Sequence, residues 1–180
     1  LIRLEELKKK LLQEGLFDPS RKKPIPRYPK SIGVATSATG AALQDIRKVI
    51  NERFPHVTLY LVNCKVEGKD APQSIISAIQ LLNRHKKSDV IIVGRGGGSK
   101  ESLMAFNEES VVRAIAASQI PIIAAVGHEV DSSLSDFAAD LRAATPSHAA
   151  EYAVPFLREE LQRIRGQEVQ LHRRMDTVLR

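Results

Sequence analysis

Apolar positions along this chain follow two alternating patterns. Unbroken runs of β-branched and aliphatic residues occupy 31–36 (SIGVAT), 57–62, 89–93 and 120–126, and the last two stop abruptly at glycine. Runs of that kind, lying between helical patterns, read as strands of a parallel sheet buried on both faces. Between them the apolar residues recur at helical spacing. Ala42, Ile46, Val49 and Ile50 share one face of a helix over 40–53, and Ile75, Ile79 and Leu82 face the core from the next. Val111, Val112 and Ile115 mark a third helix, and Leu134, Phe137, Ala138 and Leu141 a fourth. Asp70 with Pro72, Asn107 and Asp131 are predicted to cap these helices, and Ser99 a short turn over 100–105. Four βα units in succession predict an α/β fold with an open, doubly wound parallel sheet of about four strands, ordered 2-1-3-4 with right-handed crossovers.

The flanks read differently. Leu1, Leu4, Leu7, Leu11 and Leu12 predict a short amphipathic helix stopped by Gly15. Residues 18–30 hold four prolines and five basic side chains, which predicts an extended linker, either a solvated tether or part of a phosphate track. Thr145-Pro146 starts a final helix with a kink expected at Pro155. From Leu157 the spacing becomes 4-3-4-3 through Leu161, Ile164, Glu168, Leu171, Met175 and Val178, with Glu168 the one polar interruption. That seam predicts either the start of a coiled-coil arm or a core-packed helix. The expected division is 1–30 helix and linker, 31–150 α/β domain, and 151–180 the start of the arm. A chain that opens at Leu1 and ends within open heptads reads as a piece of a longer protein.

Composition narrows the function classes. With 180 residues, 43% hydrophobic, the chain supplies one ordinary core. No apolar run is long enough for a membrane span, and no signal-peptide pattern is present. Cys64 is the single cysteine, which excludes an internal disulfide and a Cys-based zinc site, and fits a reducing cytoplasm. The net charge of +6 is compatible with a polyanionic partner. Aromatic residues make up only 4%, too few for base-stacking platforms, so a nucleic acid would be held here by its phosphates.

The candidate chemistry lies past the third and fourth strands, because open α/β sheets bind ligands outside the carboxyl ends of their strands. The string GRGGGS contains Gly94, Arg95, Gly96, Gly97, Gly98 and Ser99. Consecutive glycines turn backbone N–H groups toward an anion, and Arg95 adds a charged fork suited to phosphate. The alternative is a merely tight strand–helix turn. In GHEVD, His128 and Asp131 are either a general base and its orienting partner or a backbone-satisfied histidine beside a helix cap. Glu129 reads as structural or solvent-facing. Asp45 borders the buried face early in its helix, where it either complements the helix dipole or joins Arg95 and His128 at the strand ends. His56, His85, His148 and His172 read as surface residues.

The strings GLFD, KKPIPRYPKSIGVATSATGAALQDI, DVIIVGRGGGSKESLMAFNEESVVRAI and VGHEVDSSLSDFAADLRAATPSHAAE occur here in order. The set resembles the large subunit of the exodeoxyribonuclease VII family over the whole of the chain. The resemblance implies exonucleolytic hydrolysis of phosphodiester bonds in single-stranded DNA, with a small subunit carried by the helical arm. It implies catalytic roles for Asp45, Arg95, His128 and Asp131, and substrate-phosphate contacts from Ser37, Thr39, Gly96, Gly97, Gly98 and Ser99. It implies no essential metal, with Mg²⁺ an option through Asp45, Asp131 and Glu101. One departure is visible, since Ser102 stands where the family usually has an acid. Two other readings keep their own signatures: an enzyme acting on a small phosphorylated molecule, and a non-catalytic assembly module.

Overall fold

The computed structural model describes residues 2–97, 100–127 and 133–178, with backbone alone at 2, 100–102 and 177–178. Its centre is an all-parallel sheet ordered β2-β1-β3-β4-β5. The strands are β1 (Ser31–Thr36), β2 (Thr58–Asn63), β3 (Val90–Gly94), β4 (Ile122–Ala125) and β5 (Leu141–Arg142). The predicted order of the first four is found. The fifth strand corrects the expected count, and it takes Leu141 from the helix where the sequence pattern placed it. Its register on β4 is Ile123↔Leu141 and Ala124↔Arg142. Five crossing or flanking helices are α1 (Ile2–Gln13), α2 (Ala41–Arg53), α3 (Ala71–His85), α4 (Glu109–Ala116) and α5 (Leu134–Ala138). Two more, α6 (Pro146–Ala153) and α7 (Leu157–Val178), follow the sheet.

Two-residue alternation along each buried strand feeds two cores. Ala35, Ile91, Val93, Ile122 and Ala124 face one side, where they meet Leu11 of α1, Ile75, Ile79 and Leu82 of α3, and Val111, Val112 and Ile115 of α4. Ile32, Val34, Val90, Ile92, Ile123 and Ala125 face the other, against Ile46 and Ile50 of α2 and Ala149, Ala150 and Ala153 of α6. Among the described residues no helix is long and apolar enough to cross a membrane.

Helix ends show where local chemistry was read well and where tertiary partners took over. Gly15, at φ +72, ends α1. Its N–H donates to Leu12 O and that of Leu16 to Leu11 O, both at 3.0 Å, with Leu11 and Leu16 buried in one cluster. Thr145 caps α6 by accepting from His148 N at 3.1 Å. Three other expected caps are corrected. Asp70 stands at the α3 N-cap as expected but makes no capping bond, and its carboxylate pairs with Lys65 Nζ at 2.7 Å. Asn107 spends its side-chain carbonyl on Leu134 N at 2.7 Å, so Glu108 stands at the α4 N-cap without a side-chain bond. Asp131 lies outside the described residues, and α5 is capped by Ser133 in a capping box with Asp136.

The basic linker is not a free tether. Lys22 Nζ donates to the carbonyls of Phe137 and Ala139, and Lys23 pairs with Asp140 at 3.1 Å. Arg27 pairs with Glu160 at 2.9 Å. Pro155 does more than kink the last helix. Val154 is forced to extended backbone at ψ 147, and α6 and α7 are separate elements. Beyond its base α7 is not core-packed, for Ile164 and Leu171 of its seam are 55% and 59% exposed. That base is fixed by Glu160, which Arg27, Tyr28 and Arg163 all contact, and by Arg53 over the Phe156 ring at 5.2 Å.

Two tests follow from these contacts. A Cβ added at Gly94 would lie 3.0 Å from the Ala125 carbonyl oxygen, a backbone atom that cannot rotate away. Gly94→Ala therefore costs roughly 1–3 kcal/mol, measured by denaturant unfolding; unchanged stability would mean the strands can part freely. Hydrogen bonds from Arg27 first, then Tyr28 and Arg163, hold the Glu160 carboxyl at about 2 instead of its ordinary 4.5. A depressed folded value stabilises fully above the ordinary value and is lost as pH falls from 4.5 through about 2. The difference in Tm between wild type and Glu160→Gln is thus expected at pH 7 and shrinks below pH 4.5. A pH-independent difference would show that Glu160 acts through packing.

Candidate active site

All five strands run the same way, so their carboxyl ends open on one edge of the sheet. Two adjoining cavities lie there and share Arg95, Gly96 and Gly97 as a common wall. The smaller, about 220 Å³, is completed by Asp45, Val126, Thr145 and Ser147. The larger, about 390 Å³, is completed by Ser37, Thr39, Gly40, Lys65 and Glu67.

Arg95 is the fixed point between them. It is only 5% exposed. Its N–H donates to Ala125 O and its Nε to Val126 O, both at 3.2 Å, which ties the loop after β3 to the end of β4. Burial pushes the guanidinium pKa down and the Glu67 carboxylate pushes it back up. An arginine so placed stays charged, because its ordinary value lies far above neutral pH. The same loop closes on α2. A side chain at Gly96 would stand 3.4 Å from Ala42 N, so the glycine lets the loop lie against the helix's first turn.

Two helix N-termini meet at this wall. Gly40 is the N-cap of α2 and offers no side-chain bond to the first N–H groups. The loop before it is anchored by Ala38 N donating to Asn63 Oδ1 at 2.9 Å, and the Ser37 and Thr39 hydroxyls lie 3.4 Å apart. On the side of the smaller cavity, Thr145, Pro146 and Ser147 start α6. Helix starts carry partial positive charge and N–H groups directed outward, which favours an anion beside Arg95. Asp45, in the second turn of α2, is exposed and lines the smaller cavity.

Six of the sequence-predicted site residues are therefore gathered: Asp45, Arg95, Ser37, Thr39, Gly96 and Gly97. His128, Asp131, Gly98 and Ser99 lie outside the described residues, as do Glu129 and the side chains of Glu101 and Ser102. Past the end of β4, the Val126 carbonyl that holds Arg95 lies two residues before position 128 in the chain. Lys65, Glu67, Thr145 and Ser147 were not foreseen. Lys65 and Glu67 follow β2, whose end carries no glycine signal, and Thr145 follows the short β5. The strand-end rule applied to β2 would have found Lys65 and Glu67, whereas the two residues of β5 leave no pattern that leads to Thr145 and Ser147. Cys64, also past β2, is 4% exposed, and burial pushes its thiol up to about 11, which suits packing and not nucleophilic chemistry. Among the described residues no three His, Cys, Asp or Glu side chains gather as a metal site.

Fold and site together define an open α/β domain with a cationic cleft at its strand ends. Residues 16–180 match the family described as exonuclease VII, large subunit, and the chain belongs to that family. It is 55% identical to the exodeoxyribonuclease 7 large subunit of Brevibacillus brevis, over 94% of this chain and 37% of that protein. The large subunits of Desulfitobacterium hafniense and Bacillus subtilis are 56% and 53% identical, each over 97% of this chain, with 43% and 39% of those proteins covered. The chain thus spans about two fifths of the length of these curated relatives.

Proposed function

We propose that this domain hydrolyses phosphodiester bonds in single-stranded DNA, as the catalytic part of an exonuclease built from large and small subunits. The observation that carries the reading is Arg95, buried between two helix N-termini at the strand ends, in a chain whose relatives are named exodeoxyribonucleases. The Arg95 fork and the amides of the glycine loop bind the scissile phosphate and stabilise the charge that grows on it. Water attacks phosphorus as the bond to the leaving oxygen breaks; His128 either takes the proton of the attacking water or gives one to the leaving oxygen, and solvent supplies or accepts the other. Asp131 holds the His128 tautomer. Asp45, on the same cavity as Arg95, orients the water or the guanidinium. No essential metal is needed on this reading, because Arg95 and the two helix starts supply the positive field. The exposed seam of α7, carrying Leu161, Ile164, Leu171 and Met175, is the start of the arm that the small subunit would cover.

The test uses the full-length chain co-expressed with the small subunit and follows degradation of labelled single-stranded DNA in EDTA. Wild type is expected to cut in chelator. Arg95→Lys, which lacks the fork, should lose about 10²–10³ in kcat. His128→Ala should lose on the order of 10²–10⁴. Near-normal kcat in both variants would sink the assigned site, and loss of wild-type cutting in EDTA would return Asp45, Asp131 and Glu101 as metal ligands.

A further inference from the structure

The larger cavity carries a second cation, Lys65, beside the Arg95 that the scissile phosphate uses. Resting on the single-strand nuclease reading above, we propose that this cavity holds the neighbouring phosphate of the strand, and that Lys65 is the side chain that grips it. Arg95, Gly96 and Gly97 are the wall common to both cavities, so the two adjoin and a strand bound in one would continue toward the other. Asp45, Thr145 and Ser147 lie on the smaller side, and Lys65, Ser37 and Thr39 on the larger. Among the described residues of that lining the charged side chains are Lys65, Arg95 and Glu67.

Lys65 is built to reach without being locked. Its backbone N–H donates to Ser74 Oγ at 2.9 Å, which fixes where the side chain starts. Its ammonium pairs with Asp70 at 2.7 Å, with both side chains largely exposed, at 66% and 74%. Such a pair is weak, so a phosphate can displace the carboxylate at little cost. Lysine presents a point charge on a flexible stem, and arginine at the same place would keep that charge.

The experiment measures kcat, KM and the salt dependence of kcat/KM on single-stranded DNA with the full-length chain and its small subunit. Lys65→Gln should raise KM about five- to tenfold and leave kcat within about twofold. The slope of log kcat/KM against log salt should fall by about 0.7, the share of one phosphate contact on a single strand. Lys65→Arg should restore both KM and slope. Asp70→Asn, which breaks the ion pair alone, should leave KM unchanged or lower it. If Asp70→Asn reproduces the defect of Lys65→Gln, the lysine acts by holding its loop and the subsite is overturned. If Lys65→Gln keeps the wild-type KM and slope while Arg95→Gln loses turnover, the subsite falls and the nuclease reading stands. If Arg95→Gln turns over normally, the nuclease reading itself falls.

Discussion

A guanidinium cannot leave water unless its surroundings compensate for the lost hydration, and Arg95 is almost wholly out of water. That constraint explains much of the strand-end architecture. The carbonyls of Ala125 and Val126 face Arg95 because β4 lies beside β3 in parallel, and the pairing Gly94↔Ala125 brings the two strand ends level. The absence of a side chain at Gly94 permits that approach. Behind the arginine, Ile91 and Val93 face one core while Val90 and Ile92 face the other, which leaves no exposed face along the strand for a polar group. Polar chemistry is thereby confined to the edge where the strands end.

Much of this was legible because two kinds of signal agree there. An apolar run that stops at glycine marks both a buried strand and its end, so Arg95 could be placed from DVIIVGRGGGS alone. The four-strand order followed from the number of βα units. What escaped notice did so for a physical reason. β5 contributes only Leu141 and Arg142, too few residues for a period to register, and it is held by its register on β4 more than by its own composition. Missing it also hid the N-terminus of α6 from the site. The failed caps share a cause too. Asp70 and Asn107 carry the right chemistry for capping, but a lysine and a distant backbone N–H bind them instead. Local propensity ranks the options, and tertiary partners choose among them.

The base of α7 shows the same competition between local and distant partners. A heptad pattern cannot say what covers it, and in this chain the apolar seam stands in water beyond the first turns. Fixing the direction of such a helix requires contacts at its root. Pro155 breaks the backbone so that the helix can leave the body, and Glu160 gathers Arg27, Tyr28 and Arg163 to set where it leaves. The linker that looked like a loose tether is the other half of that joint.

Net charge alone does not say where cations gather in this chain, and the reason is distribution. Lys22, Lys23 and Arg27 of the linker are spent on carbonyls and carboxylates of the same chain. Arg84, His85 and Lys86 end α3, which runs away from the strand carboxyl ends, so they lie at the far edge of the sheet. The described cleft draws its positive character from two side chains, Arg95 and Lys65, and from two helix starts. These differ in mobility. The helix starts and Arg95 are fixed by the fold, while Lys65 is exposed and paired only with a solvent-facing carboxylate. A cation held in place by the fold is suited to charge that appears at one place. The described cleft thus sets a cation held by the fold beside one held only by an exposed ion pair.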